Sequence, residues 1–140
     1  MNLLVIIEHK NGVMHRMSKE AISGAQKICG DITALVIGEN SHPVVDKLSR
    51  FQIEKTLIVT HEKVPTYNVD GYKEIILKVV KVLNPELIIA GHTYQARDFM
   101  PRLSANLDIP FIPDLIGIEN NSYVKQIMNS KLNASISLST

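Results

Sequence analysis

Residues able to do chemistry gather at four places in the chain, each directly after an apolar run: Glu8-His9, Gly38-Glu39-Asn40, Thr60-His61-Glu62 and Gly91-His92-Thr93. Three of the five histidines are among them. Carboxylates and imidazoles brought together from strand ends would suit a nucleotide or a metal ion. Loops that follow buried strands are polar in any case, because they lie on the surface. The last of the four continues as Gly91-His92-Thr93-Tyr94-Gln95-Ala96-Arg97-Asp98, a strand end running into a helix start. Free N–H groups there, helped by Arg97, would hold an anion. The competing reading makes Arg97 and Asp98 a surface pair that caps the helix.

The familiar catalytic and ligand-binding patterns are missing. His9, His15, His42, His61 and His92 stand singly, with no His-x-x-x-His pair and no cysteine partner beyond the lone Cys29, so no metal site is expected. There is no Gly-x-Ser-x-Gly elbow, and Cys29 reads as a small core residue near an apolar helix end. The glycines at 12, 24, 30, 38, 71, 91 and 117 spell neither Gly-x-Gly-x-x-Gly nor a phosphate-binding P-loop. No catalytic constellation emerges.

The elements that would position these residues follow from apolar patterning. Leu3–Ile7, Ile32–Ile37, Thr56–Val59 and Leu87–Ala90 are runs without polar alternation, the form of strands buried on both faces. Helical spacing fills the gaps. One helix follows Ser18 as N-cap, with Ala21, Ile22, Ala25, Ile28 and Cys29 inward and Gly30 closing it. A short one covers Pro43–Phe51, and a long one capped by Asp70 runs to Leu83, where Asn84-Pro85 stops it. A fourth starts near Asp98, holds Pro101 in its first turn and ends at Leu107-Asp108. Alternating strands and helices imply a parallel sheet with helices on both faces, a three-layer Rossmann-like α/β domain. After residue 110 the pattern changes to short antiparallel edge strands at Leu115–Ile118, Tyr123–Met128 and Ala134–Leu138. The expectation is one domain over 1–140, alternating to 109 and then edge strands.

Composition narrows the function classes. The 140 residues carry 15 Lys+Arg against 14 Asp+Glu, and each half is balanced to within one charge. Nucleic-acid backbones demand clustered cations, and this chain has none; it also lacks tryptophan. The first apolar run spans only Leu3–Ile7, too short for a secretory signal or a membrane span of about 20 residues. A cytoplasmic domain is expected, or one of the mitochondrial matrix in a eukaryote, although no transit peptide is seen. With 45% hydrophobic residues the chain can bury roughly 68–70% of its unfolded surface.

Several separated motifs are similar to one family. Leu3-Leu4-Val5-Ile6-Ile7-Glu8-His9 with Asn11-Gly12, and Ala34-Leu35-Val36-Ile37-Gly38-Glu39-Asn40, resemble the opening of the alpha subunit of electron transfer flavoproteins. The best likeness is Gly91 through Ala105, continuing over Leu107-Asp108-Ile109-Pro110 to Pro113-Asp114. Lys125-Gln126-Ile127-Met128-Asn129-Ser130-Lys131 departs from the family's usual Arg-Pro-Ile-Tyr-Ala-Gly-Asn. The resemblance is to the N-terminal domain alone.

That resemblance implies a carrier subunit with no substrate chemistry of its own. In the family a C-terminal domain, missing here, holds FAD, so no residue of this chain is expected to contact the flavin. The implied partner is the beta subunit, which binds AMP. Through the complex come flavin-dependent dehydrogenases and a quinone reductase or other acceptor. Glu8, His9, Gly91, His92, Thr93 and Arg97 would then line a vestigial nucleotide pocket. Two other readings remain. One is a stand-alone adenine-nucleotide module of the universal-stress or nucleotide-hydrolase type, which would need the Gly91–Arg97 loop occupied. The other is an interaction module presenting Phe111, Ile112, Ile116 and Ile118 to a partner.

Overall fold

Four parallel strands, each flanked by helix, form the centre of a computed structural model that describes residues 2–28, 31–38, 41–60, 68–108, 111, 115–119, 122–127 and 132–136, with side chains described as far as 111. They are β1 (Asn2–Ile7), β4 (Asp31–Ile37), β5 (Lys55–Val59) and β6 (Leu87–Ala90). Their order in the sheet is β5-β4-β1-β6. β1 is paired on both sides, Leu3 lying opposite Ile32 of β4 and Leu87 of β6.

Alternation along β1 sends its side chains to two separate cores. Leu3, Val5 and Ile7 meet Ala21, Ile22, Ala25, Val44 and Leu48 on one face. Leu4 and Ile6 meet Tyr72, Ile76, Phe99 and Leu103 on the other. The first face is covered by α1 (Arg16–Gln26) and α2 (His42–Leu48), the second by α3 (Val69–Leu83) and α4 (Tyr94–Leu107). This is the expected three-layer arrangement. Leu3, Leu4, Val5, Ala34, Leu35 and Val36 are all at or below 1% exposure, which explains why these strands carry no polar alternation.

Helix starts differ from the expected ones in three places. α1 begins before Ser18: the N-cap is His15, whose ring accepts the Met17 N–H. Ser18 is buried inside the first turn, and its Oγ accepts the Glu8 N–H at 2.8 Å. α3 is capped by Asn68, whose Oδ1 accepts the Gly71 N–H at 3.1 Å, leaving Asp70 to complement the helix dipole in the first turn. α4 begins four residues before Asp98, with Thr93 as cap and Pro101 inside the helix. An interior proline costs about 3 kcal/mol relative to alanine. Here the Thr93 cap and the burial of Ala96, Phe99 and Leu103 along one stripe outweigh that penalty. The expected stops of α3 and α4 hold, with Asn84 (φ 48°) and Asp108 (φ 54°) in left-handed conformations, whereas α1 and α2 end sooner than expected, at Gln26 and Leu48.

The segment after β1 is a hairpin. β2 (His9–Lys10) and β3 (Val13–Met14) pair antiparallel across Asn11-Gly12. Both turn residues have positive φ, 51° and 86°, as a tight two-residue hairpin turn requires. Past residue 110, β7 (Leu115–Glu119), β8 (Ser122–Ile127) and β9 (Leu132–Ile136) are antiparallel as expected. Among the described residues they pair with one another in a separate sheet rather than extending the parallel one, with an irregularity between Leu115 and Gly117. The last strand begins two residues before the apolar pattern placed it, at Leu132, and the expected end at Leu138 lies outside the described residues. The expected roles of Cys29, Gly30, Glu39, Asn40, His61, Glu62 and Ile112 fall on residues outside the described set, as do the side chains of Ile116 and Ile118. Among the described residues no helix is long and apolar enough to cross a membrane.

Candidate functional site

Chain order and sheet order diverge between β1 and β6. From β1 the chain moves outward through β4 and β5, then crosses to the other side of β1 as β6. In open α/β sheets ligands collect outside the carboxyl ends of the strands at such a switch point. Glu8 leaves β1 there, and Gly91-His92-Thr93 leaves β6 beside it.

Glu8 is the hub. Its backbone N–H donates to Ser18 Oγ at 2.8 Å, and its carbonyl accepts the His15 N–H at 2.9 Å. Its Oε1 accepts the Thr93 hydroxyl at 2.7 Å. Thr93 Oγ1 in turn accepts the Ala96 N–H at 3.1 Å, so the hydroxyl that caps α4 gives its proton to Glu8. His15 approaches the same carboxylate from α1. Its Nδ1 accepts the Met17 N–H at 3.0 Å, and its Nε2 stands 3.8 Å from Glu8 Oε2, outside hydrogen-bond distance. The caps of two helices, one on each face of the sheet, thus converge on a single carboxylate.

Gly91 closes the crevice sterically. A Cβ at this position would lie 2.6 Å from both the carbonyl carbon and oxygen of Met17, closer than any side chain tolerates. Glycine lets the first turn of α1 press against the end of β6. Behind this contact the remaining cavity is about 10 Å³, walled by Glu8, Tyr72, Gly91, Thr93, Gln95 and Phe99 among others. That is room for about one water molecule. Burial pushes the Tyr72 hydroxyl above its usual pKa, and the Glu8 charge adds to the shift. Its ring packs at 5.9 Å from that of Phe99.

The six sequence-derived residues therefore separate. Glu8, Gly91 and Thr93 meet at the crevice. His9 turns to β4: its Nδ1 accepts the Gly12 N–H at 3.1 Å and its Nε2 donates to the Ile37 carbonyl at 3.0 Å. It lies 3.4 Å from where a Gly38 Cβ would stand. His92 and Arg97 join outside the crevice, Arg97 Nε donating to His92 Nε2 at 3.0 Å while its guanidinium lies 5.9 Å over the Tyr94 ring. Asp98 lies 3.7 Å from Arg102, one helical turn on, while Arg97 bonds His92. His15, Ser18, Tyr72 and Met17 complete the site and were not singled out from sequence. Asn11-Gly12 was the signal for the first two, because the hairpin it encodes folds residues 15–18 back against Glu8. Among the described residues no three His, Cys, Asp or Glu side chains lie close enough to hold a metal ion.

A family model described as electron transfer flavoprotein domain matches residues 3–137. The chain belongs to the electron transfer flavoprotein family. It is 31% identical over 118 residues to the electron transfer flavoprotein subunit alpha of Bacillus subtilis, covering 83% of this chain and 36% of that protein. The subunit alpha of Syntrophomonas wolfei is 23% identical over 82% of this chain and 36% of its own length. A probable mitochondrial subunit alpha of Schizosaccharomyces pombe is 24% identical over 97% of this chain and 41% of its own. The chain thus spans little more than a third of the curated relatives it matches.

The flavin of the family's name can be tested against the residues present. The switch-point cavity of about 10 Å³ is far too small for FAD. A depression of about 280 Å³ at the opposite, amino edge of the sheet lies between Asp31, Gln52 and Glu54. Two carboxylates there oppose a pyrophosphate. Neither place fits the cofactor.

Proposed function

We propose that this chain acts as the scaffold domain of an electron transfer flavoprotein alpha subunit, with no catalytic step of its own. In this reading it packs against a beta subunit, itself the AMP-binding partner, and forms the base on which an FAD-bearing domain moves. Electrons would pass from flavin-dependent dehydrogenases through that flavin to a quinone reductase or another acceptor. The support is the family match over 3–137 combined with a switch-point crevice filled by the chain's own side chains. A domain that bound its own redox cofactor would keep that crevice open.

The adenine-nucleotide-module reading finds no comparable support. It requires space at Gly91–Arg97 that the Gly91–Met17 contact and the Glu8–Thr93 bond take up. The test is assembly. The chain mixed with a beta subunit from the same source should elute as a 1:1 complex by size exclusion with light scattering, and the chain alone should be colourless after desalting. Independent elution of the two, or flavin retained by this chain, would overturn the proposal.

A further inference from the structure

We propose that Glu8 is the residue that shuts the switch-point crevice to phosphate-bearing ligands, by seating a carboxylate of the chain where such a ligand's anion would otherwise lie. The inference concerns the crevice alone and holds whether or not the chain pairs with a second subunit. Three observations carry it. The first is position: Glu8 stands at the carboxyl end of β1, between β1 and β6, where the sheet reverses its order and where open α/β sheets bind their ligands. The second is the donor set. The Thr93 hydroxyl, which caps α4, gives its one proton to the Glu8 carboxylate at 2.7 Å, and the His15 ring, which caps α1, stands 3.8 Å from the other carboxylate oxygen. Thr93 accepts the Ala96 N–H on its own helix and His15 the Met17 N–H on its own. The proton of Thr93 is therefore aimed at an anion. The third is volume: with Glu8 in place the cavity is about 10 Å³, so a phosphate cannot share the site.

A second negative group beside Glu8 would meet the carboxylate's charge in a partly desolvated setting, since its side chain is only 21% exposed. Removing that charge leaves Thr93, His15 and the start of α4 facing a vacated anion seat. The buried Tyr72 borders it. Glu8 is thus a specificity-determining residue acting by exclusion, and the class it excludes is the phosphate monoester.

The experiment compares the wild-type chain with Glu8→Gln, which keeps the shape and removes the charge, and Glu8→Ala, which also opens space. Melting temperatures are recorded with inorganic phosphate and with AMP, against chloride at equal ionic strength. The wild type measured in the same buffers corrects for general salting effects. Glu8→Ala should gain a saturable rise of about 4–5 °C at a concentration ten times Kd, while the wild type and Glu8→Gln, whose side chain still fills the crevice, show none. Adding Thr93→Val to Glu8→Ala should abolish the gain. A saturable shift in the wild type would overturn the proposal, and so would a folded Glu8→Ala variant that responds to neither anion. Failure of both variants to fold would assign Glu8 to the fold instead of to exclusion, and would overturn it as well.

Discussion

Gly91 and Thr93 are packed into the switch-point crevice, whereas their chain neighbours His92, Tyr94 and Arg97 reach the surface. The inner pair is fixed by contacts from distant sequence: Met17 against Gly91, and Glu8 on Thr93. The outer three are joined to one another through the Arg97–His92 bond and the stacking on Tyr94, which is 88% exposed. A strand end passing into a helix start presents successive residues to opposite sides. One short segment can therefore seal a core and offer a surface at once. Stability resides in the inner set, and the outer set is open to partners.

Substitutions should separate the two sets. Gly91→Ala should have the largest effect, because its methyl would meet the Met17 backbone at 2.6 Å and backbone cannot swing aside. Urea denaturation should show a loss of about 3 kcal/mol; a loss below about 0.5 kcal/mol would mean α1 does not press on β6. Thr93→Val removes both the α4 cap and the donor to Glu8, and should cost about 2 kcal/mol by the same method. A loss near zero would break the account of the inner set.

A third prediction uses pH. Tyr72 has a folded-state pKa raised above its usual 10.0, chiefly by burial and then by the Glu8 charge. The folded state therefore holds that proton more tightly than the unfolded chain. The associated stability is fully present below pH 10 and is lost as pH rises through the raised value. Tyr72→Phe should flatten the alkaline fall in stability relative to the wild type. An unchanged slope would show that Tyr72 is not the buried phenol responsible. Arg97→Ala should have the smallest effect, within about 0.5 kcal/mol, because Arg97 and Tyr94 are both exposed. A loss comparable to that of Thr93→Val would erase the distinction between the sets.

β1 and β4 were legible because burial on both faces leaves no polar alternation, as in Leu3–Ile7 and Ile32–Ile37, whereas the edge strand β5 has the same unbroken pattern and yet leaves Ile58 45% exposed. The ends of α3 and α4 were legible because Asn84 and Asp108 take the left-handed conformation that stops a helix. Helix starts were less so. Pro101 argued for a late start to α4, and the Thr93 cap with the tertiary burial of Ala96, Phe99 and Leu103 explains why the helix runs through it. At the site, the polar strand ends named Glu8, Gly91 and Thr93, but nothing local said that Glu8 and Thr93, 85 residues apart, would share a proton. His9 shows the opposite case. It looked like a member of the pocket, yet its two ring nitrogens bind the hairpin to the end of β4. Direction depends on the turn at Asn11-Gly12, and local sequence encodes that turn without encoding what the returning chain will touch.

The central claim is that this chain seals its own switch point through Glu8 and Thr93. A double-mutant cycle with Glu8→Ala and Thr93→Val, followed by urea denaturation, measures that link directly. The account predicts a coupling of about 1 kcal/mol or more, as for a hydrogen bond to a charged group. Losses that simply add, within about 0.3 kcal/mol, would contradict it.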